Sequence, residues 1–447
     1  MLKALDNEPK NSAVHYLLHT NAFLKSFITE EEKDYRRFRE IQDAALFHFE
    51  ELPDSSPYRR FCQSEAYFYS GALKAKFNEL YGAARDINRL HTLVEENNRL
   101  FPEFLPNNKL RGILKVYLST VPEKYKWLVR MLGIEEDLYG GMRMLAELSA
   151  HQKDSGFLGG IAQETAYLRS FALFQVAKSP HKAWSETLKC TKDYEASSLS
   201  TFFRSNMALK LNKNLTARNI LLSRPNGGDY EPFYFLNYQL GLAKLNSFDS
   251  TAIEDFNIYR TEFKGRNYLK SCLQKMSWYY VLEGNKLEAR RLQLAILSLP
   301  KSVNEEDKLA DQYATKPLPN PTLLRMRLLY DGGDFKAALR IAKSIDPKKL
   351  ENRILKAEYC YRHGRISEKL GNMKAALKFY EACSLFAKES EEYYGAYACI
   401  YLGDHYLKNG DLANAKTYYQ KALTYSKNRE YVESIEQRAK SGLKKLD

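Results

Sequence analysis

The chain has 447 residues, 44% of them hydrophobic and 28% charged, and its formal net charge is +13. This length suits two or three ordinary domains or one repeat array, and the mixing of 55 acidic with 68 basic residues disfavours a dedicated nucleic-acid surface. No apolar run is long enough to span a membrane, and the six cysteines form no C-x-x-C pair, so neither disulfides nor a zinc site are expected.

The first half of the chain predicts helices separated by proline and glycine turns. Asn11 is expected to cap a helix that ends near residue 27, and Thr29 opens another that ends near residue 51. His15 and His19 share one helix face at i,i+4, which is the spacing of half a metal site. No H-E-x-x-H motif surrounds them, so they are interpreted as packing residues and no metal site is predicted.

Residues 101–148 are broken by prolines and glycines, and they follow the order Leu118, Val121-Pro122, Leu128, Leu132-Gly133-Ile134 and Gly140. That order partly resembles a segment of the inclusion-body-clearance family of tetratricopeptide-like proteins and of related bacterial repeat proteins. The chain departs from it by having Ile134 in place of an aromatic residue and Glu136 in place of a second glycine. The resemblance implies a shared helical architecture and no particular activity.

The second half carries one pattern in four places, at residues 270–300, 319–347, 357–389 and 396–429. In the last copy the order is Leu402-Gly403, Tyr406, Gly410-Asp411, Ala415, Tyr419 and Ala422. The four-residue spacings place apolar and small side chains on one face of each of two helices. Gly410 suits a left-handed helix end, and Asp411 is expected to cap the next helix.

This order resembles the tetratricopeptide repeat, a two-helix unit of about 34 residues. The resemblance is clearest in residues 270–429 and implies an all-α fold, a right-handed superhelical solenoid of helix-turn-helix repeats. We predict an irregular helical repeat half at 1–224, degenerate repeats at 231–300, tetratricopeptide repeats at 319–429 and a capping helix at 430–447. The proline-rich residues 301–321 are expected to form a loop, and the surplus residues 391–395 to extend a helix.

The start of the chain matches the end of such a repeat. Ala4, Leu5 and Pro9 stand where the family has its final Ala-Leu and the following proline. Either a partner helix lies upstream of Met1 or the match is coincidental. As it stands, the sequence predicts a soluble cytoplasmic protein. An upstream segment with a secretion signal would change the compartment, which stays open at this point.

The resemblance also implies a concave binding groove lined by the first helix of each repeat. Carried over one residue at a time, the groove residues are Arg327, Tyr330, Tyr361, Arg362, Arg365, Lys369, Tyr397, Tyr401, Asp404 and Lys408. Chaperone-binding members hold a terminal carboxylate with Lys and Asn at two fixed places. Residues such as Leu323 and Ile400 stand at those places here, so binding of chaperone tails is not expected.

No nucleophile with a base, paired-carboxylate site or cofactor loop emerges, so we predict a non-catalytic protein without cofactor or metal. The leading hypothesis is a protein-interaction scaffold that binds a peptide or helix, with acidic segments as candidates. The alternative is a solenoid that binds nucleic acid, anionic lipid or glycan through its basic surface. Charge reversal of Arg362 and Arg365 together is expected to abolish partner capture and to leave helicity and melting intact.

Overall fold

The computed structural model describes residue 8 and residues 10–118, 137–302, 304–388, 390–425 and 431–446. In those ranges the regular structure is helical throughout, with no strand, so the all-α repeat architecture predicted from the sequence is confirmed. Two predictions fall outside the described residues. These are the repeat end at Ala4 and Leu5 and most of the partial resemblance, which lies in residues 119–136.

Residues 12–262 form the helices α1 (Ser12–Thr29), α2 (Glu32–Glu50), α3 (Pro57–Lys76), α4 (Leu80–Leu100), α5 (Asn107–Leu118), α6 (Leu138–Ser149), α7 (Gly156–Gln175), α8 (Pro180–Cys190), α9 (Ser198–Lys210), α10 (Asn214–Leu222), α11 (Phe235–Leu245) and α12 (Ala252–Glu262). Neighbouring helices pack in pairs, as α3 does with α4 and α7 with α8. The side chain of Asn11 accepts the N–H of Ala13 at 3.0 Å, which confirms the predicted cap.

Residues 269–444 form the helices α13 (Leu269–Leu282), α14 (Lys286–Ala295), α15 (Glu305–Ala314), α16 (Pro321–Gly332), α17 (Phe335–Ser344), α18 (Arg353–Lys369), α19 (Met373–Phe386), α20 (Tyr394–Lys408), α21 (Leu412–Thr424) and α22 (Val432–Lys444). The pairs α13 with α14, α16 with α17, α18 with α19 and α20 with α21 lie close to the four residue ranges predicted for the repeats. Helix α22 packs on α21 and α20 after the last of them.

Two compact units make up the chain. The first consists of Met1–Leu211, Thr216–Leu240 and Asn257–Arg266, and the second of Asn212–Leu215, Gly241–Phe256 and Asn267–Asp447. In the second unit, one continuous apolar core runs from α16 to α22, built mainly from alanines, cysteines and tyrosines of the repeat helices. The four-part division predicted from the sequence stays a prediction.

Two local predictions were wrong, the second only in part. Helix α15 lies inside the stretch that was expected to be a loop, because the side chain of Asn304 caps it by accepting the N–H of Asp307 at 2.8 Å. Its first turn is acidic, which stabilises a helix N-terminus. The expected helical extension over 391–395 is right only for Tyr394 and Gly395, which begin α20, whereas residues 391–393 are not helical. Ser390 Oγ accepts the N–H of Glu392 at 3.0 Å, and such a local turn competes with helical hydrogen bonding.

The four repeats share one turn. Their first helices are each followed by a glycine with φ of 78° or 85°, namely Gly284, Gly333, Gly371 and Gly410. Glycine adopts this left-handed conformation most readily, because it has no Cβ. The next residue caps the second helix, as Asp411 does by accepting the N–H of Asn414 at 3.0 Å. The turn chemistry predicted for the last repeat is therefore confirmed and recurs in the other three.

Glycines also set the approach of the two helices within a repeat. A Cβ placed on Gly403 of α20 would lie 2.8 Å from the ring of Tyr419 in α21. Gly364 of α18 has the same relation to Tyr380 of α19, with a distance of 2.6 Å. These distances are shorter than van der Waals contact, so the tyrosine rings pack there only against a residue without a side chain.

In the first unit, three ionisable side chains meet at a buried site. Lys109 of α5 contacts Glu65 of α3, and its Nζ lies 2.6 Å from Oε2 of Glu164 in α7. Lys109 and Glu65 have no exposed surface. Burial raises the pKa of Glu65 to about 7, although the ammonium of Lys109 opposes the rise. One lysine is thus shared by two acidic side chains, and the raised pKa of Glu65 favours its protonated form.

Candidate binding pocket in the C-terminal repeats

A pocket of about 310 Å³ lies in the second unit, between side chains of α16, α18, α20 and α22. Seven of the ten groove residues implied by the resemblance line it: Arg327, Tyr330, Tyr361, Arg362, Arg365, Tyr397 and Tyr401. We call it the Arg–Tyr pocket. It is assembled from successive first helices, because equivalent repeat positions of stacked units face the same side.

The other three implied residues do not line the pocket. Lys369 and Lys408 are exposed near the C-terminal ends of α18 and α20. Asp404 instead supports the pocket indirectly, since its carboxylate accepts from Tyr419 Oη at 2.7 Å and from Arg438 Nη2 at 2.8 Å. Its carboxylate is therefore engaged by the protein itself.

Four further lining residues were missed by the sequence analysis: Asp331, Tyr393, Tyr431 and Arg438. A signal for one of them was present, because Tyr393, Tyr397 and Tyr401 are spaced four apart and so lie on one face. Arg438 belongs to α22, which was predicted only to cover the last apolar surface. Its guanidinium lies 5.2 Å from the ring centroid of Tyr401, so this helix also supplies part of the pocket.

Arg365 lies among three tyrosine hydroxyls. Its Nη1 donates to Tyr361 Oη at 3.0 Å and to Tyr401 Oη at 2.7 Å, and its Nη2 donates to Tyr330 Oη at 2.6 Å. A guanidinium has five N–H donors, so two, the Nε–H and one Nη2–H, have no acceptor among the described residues. No described carboxylate forms an ion pair with Arg365.

The tyrosines around Arg365 do not supply the missing negative charge. Burial raises the pKa of Tyr330 to about 12, even though the positive charge of Arg365 lowers it. Burial likewise raises the pKa of Tyr361. Both side chains are therefore neutral phenols near pH 7, and they accept hydrogen bonds from Arg365 without neutralising it.

Arg362 differs from Arg365 because it is paired. Its Nε donates to Glu358 Oε1 at 2.8 Å, its Nη2 contacts the same oxygen, and both residues are buried. The expectation that reversing Arg362 and Arg365 together leaves melting intact does not fit this arrangement. Reversing Arg362 would place two carboxylates side by side in a buried site, so the double variant would test stability rather than binding.

The two remaining arginines have carboxylates near them. Arg327 Nε lies 3.6 Å from Asp331 Oδ2, and Arg438 is paired with Asp404 as described above. With Glu358 paired to Arg362, three of the four arginines of the pocket have an acidic neighbour. The uncompensated positive charge therefore lies at Arg365.

This arrangement suits recognition of a carboxylate and offers no obvious catalytic chemistry. Two adjacent N–H donors of a guanidinium match the two oxygens of a carboxylate, and tyrosine rings supply apolar surface around it. In the described part of the chain, no cluster of three or more metal-ligating side chains occurs. None of the helices described has the length and apolar character that crossing a membrane requires.

Residues 357–389 and 392–429 each match the family model of the tetratricopeptide repeat. The repeats predicted there are thereby confirmed. No curated protein sequence matches the chain significantly. Among solved structures, a chain of the APC/C hetero-tetramer Cut9–Hcn1 aligns with 96% of this chain and 98% of its own length, at 14% identity and a TM-score of 0.29. Similarity at that level supports no conclusion about function.

Proteins with tetratricopeptide repeats generally act as protein-interaction scaffolds and not as catalysts. The family match at residues 357–429 supports a protein-interaction role in general for the repeats of that part of the chain. The matched residues include six of the residues that line the Arg–Tyr pocket: Tyr361, Arg362, Arg365, Tyr393, Tyr397 and Tyr401.

Proposed function

We propose that this protein is a non-catalytic interaction module that binds an acidic side chain of a partner protein in the Arg–Tyr pocket. One observation carries the proposal. Arg365 is partly buried, is surrounded by neutral tyrosine hydroxyls and has no carboxylate partner among the described residues. A buried charge is costly unless it is paired, so a ligand carboxylate would complete the site.

The size of the pocket favours one side chain over a polymer. A volume of about 310 Å³ lies at the lower end of the range for ligand pockets and suits one acidic side chain with its backbone. Flanking residues of the partner would extend along the neighbouring first helices, as extended segments do on stacked helix pairs. Nucleic acid, anionic lipid and glycan are the competing ligands, and a binding assay separates them from a peptide.

Selection from a random peptide library displayed on phage tests the proposal. We expect the full chain to enrich peptides with a central Asp or Glu. Synthetic copies of those peptides should bind with an affinity that weakens about tenfold or more when the acidic residue becomes its amide, because a hydrogen bond to a charged group contributes about 1.5–3 kcal/mol. Oligonucleotides and anionic vesicles, assayed in parallel, should bind weakly and lose affinity steeply with salt.

Two single variants locate the binding site. Arg365→Gln removes the uncompensated charge and should weaken peptide binding by the same factor as amidation of the ligand. Lys369→Gln removes one positive charge from the same helix, at an exposed residue outside the pocket, and should leave affinity unchanged. Equal effects of both variants would mean that net charge rather than the pocket governs binding, and the proposal would then fail.

A further inference from the structure

Lys275 of α13 stands in an unusual electrostatic setting outside the Arg–Tyr pocket. Its Nζ lies 3.7 Å from the ring centroid of Trp278, and the guanidinium of Arg327 lies 4.5 Å from the same centroid. One indole face attracts one cation, but here two cationic side chains share the ring. Their separation cannot exceed the sum of those two distances, so the two positive charges repel each other.

No described carboxylate forms an ion pair with Lys275. Its Nζ donates to the neutral amide oxygen of Gln274 at 2.8 Å. The charged groups that face it are Arg327 and Asp331 of α16 and Glu306 of α15, and Asp331 is already beside Arg327. Lys270 of the same helix shows the contrast, because its Nζ lies 2.5 Å from Asp311 Oδ1.

Partial burial and the neighbouring guanidinium both disfavour the ammonium form of Lys275. Burial is the larger cause, Arg327 adds to it, and together they lower the pKa of Lys275 to about 7. Near neutral pH, a large share of this side chain is therefore the unprotonated amine. Lys275 is half-buried, so part of the residue contacts solvent.

We propose that Lys275 is a site of acylation by small acyl phosphates. The amine nitrogen attacks the carbonyl carbon of the acyl phosphate, a C–N bond forms, the C–O bond to phosphate breaks, and inorganic phosphate leaves while the amine proton passes to solvent. The reaction needs no oxidant or reductant. Arg327 favours this class of reagent, because its guanidinium lies against the same indole ring as the amine and its positive charge attracts the anionic phosphate group.

Site-resolved labelling of the intact chain with acetyl phosphate tests this proposal. Rates are followed by mass spectrometry of proteolytic peptides at a series of pH values, with Lys286 and Lys369 as exposed internal controls. We expect Lys275 to react about tenfold faster than the controls near pH 7.5, because its neutral fraction is far larger while its lower basicity offsets part of that gain. Its rate should level off above a midpoint near 7, whereas an ordinary lysine reacts faster up to roughly pH 10.

The variant Arg327→Gln tests the cause. Removing the neighbouring charge should raise the midpoint for Lys275 and slow its acetylation near neutral pH, while Lys286 and Lys369 react as before. Circular dichroism checks that the variant keeps its helices. Lys275→Arg should abolish the rapid acetylation at this position. The proposal is overturned if Lys275 reacts no faster than the exposed lysines, if its rate still rises at pH 10 as in an ordinary lysine, or if Arg327→Gln leaves its pH profile unchanged.

Discussion

Replacing Glu65 by Gln is expected to stabilise the first unit at neutral and alkaline pH. Burial raises the pKa of Glu65 from 4.5 to about 7 in the folded protein, with Lys109 opposing and Glu164 adding to the rise. Between pH 4.5 and about pH 7, the folded state therefore holds a proton that the unfolded chain has released. It follows that the contribution of Glu65 to the free energy of unfolding is fully present below the unfolded pKa and is lost as the pH rises through the folded pKa of about 7.

The size of this loss follows from the pKa difference. Each pKa unit corresponds to about 1.4 kcal/mol, so ionisation of Glu65 removes about 3 kcal/mol between mildly acidic and mildly alkaline pH. Gln resembles the protonated carboxyl in size and charge, and Lys109 keeps Glu164 as its acidic partner in the variant. We expect Glu65→Gln and the parent to be equally stable near pH 4 and the variant to be about 3 kcal/mol more stable near pH 8.

Urea unfolding at several pH values provides the measurement. Thiol labelling of Cys62, a buried residue of the same helix, reports unfolding around this site, and circular dichroism reports total helix loss. Glu95→Gln is the matched control, because Glu95 forms a half-exposed ion pair with Arg111 and should contribute less than about 1 kcal/mol. A Glu65→Gln variant less stable than the parent near pH 8 would refute the reasoning, since it would mean that the ionised carboxylate stabilises the fold.

Three further changes test the repeat packing through urea unfolding of the second unit. Gly403→Leu should cost about 1–3 kcal/mol, because the new side chain collides with Tyr419, and an unchanged midpoint would disprove that close contact. Glu358→Gln leaves the buried guanidinium of Arg362 without its carboxylate and should cost about 3 kcal/mol or more; a cost no larger than that of an exposed pair would argue against the buried pairing. Asn372→Ala removes the cap of α19 and should cost about 1 kcal/mol, and a neutral effect would show that the cap is dispensable.

The helical repeats were predictable because their signals are local. Gly410 and Asp411 determine the turn through backbone conformation and a side-chain cap, and both act within a few residues. Helix α15 contradicts the loop that the prolines of residues 301–321 predict. Its own signals, the Asn304 cap and the acidic turn after it, are also local, so the sequence contains enough information to predict this helix.

The pocket was only partly predictable. Repeat positions indicated which side chains share a face, and the structure places Arg365, Tyr361 and Tyr401 together as expected from that pattern. Which charged side chains form pairs depends on the distances between helices, and those distances cannot be inferred from the sequence. Arg438 approaches Tyr401 from α22, and that contact spans 37 residues of chain. The pair of Glu358 and Arg362 is the exception, since its i,i+4 spacing is visible in the sequence.

A double-mutant cycle between Arg365 and a single ligand carboxylate tests the proposed pocket most directly. A selected acidic peptide and its Glu-to-Gln counterpart are titrated by calorimetry into the parent chain and into Arg365→Gln. If the guanidinium binds that carboxylate, the coupling free energy should be about 1.5–3 kcal/mol. Each single change should then by itself lower the binding free energy by nearly that amount. A coupling near zero, with all four combinations binding measurably, would contradict the proposal that Arg365 recognises an acidic side chain.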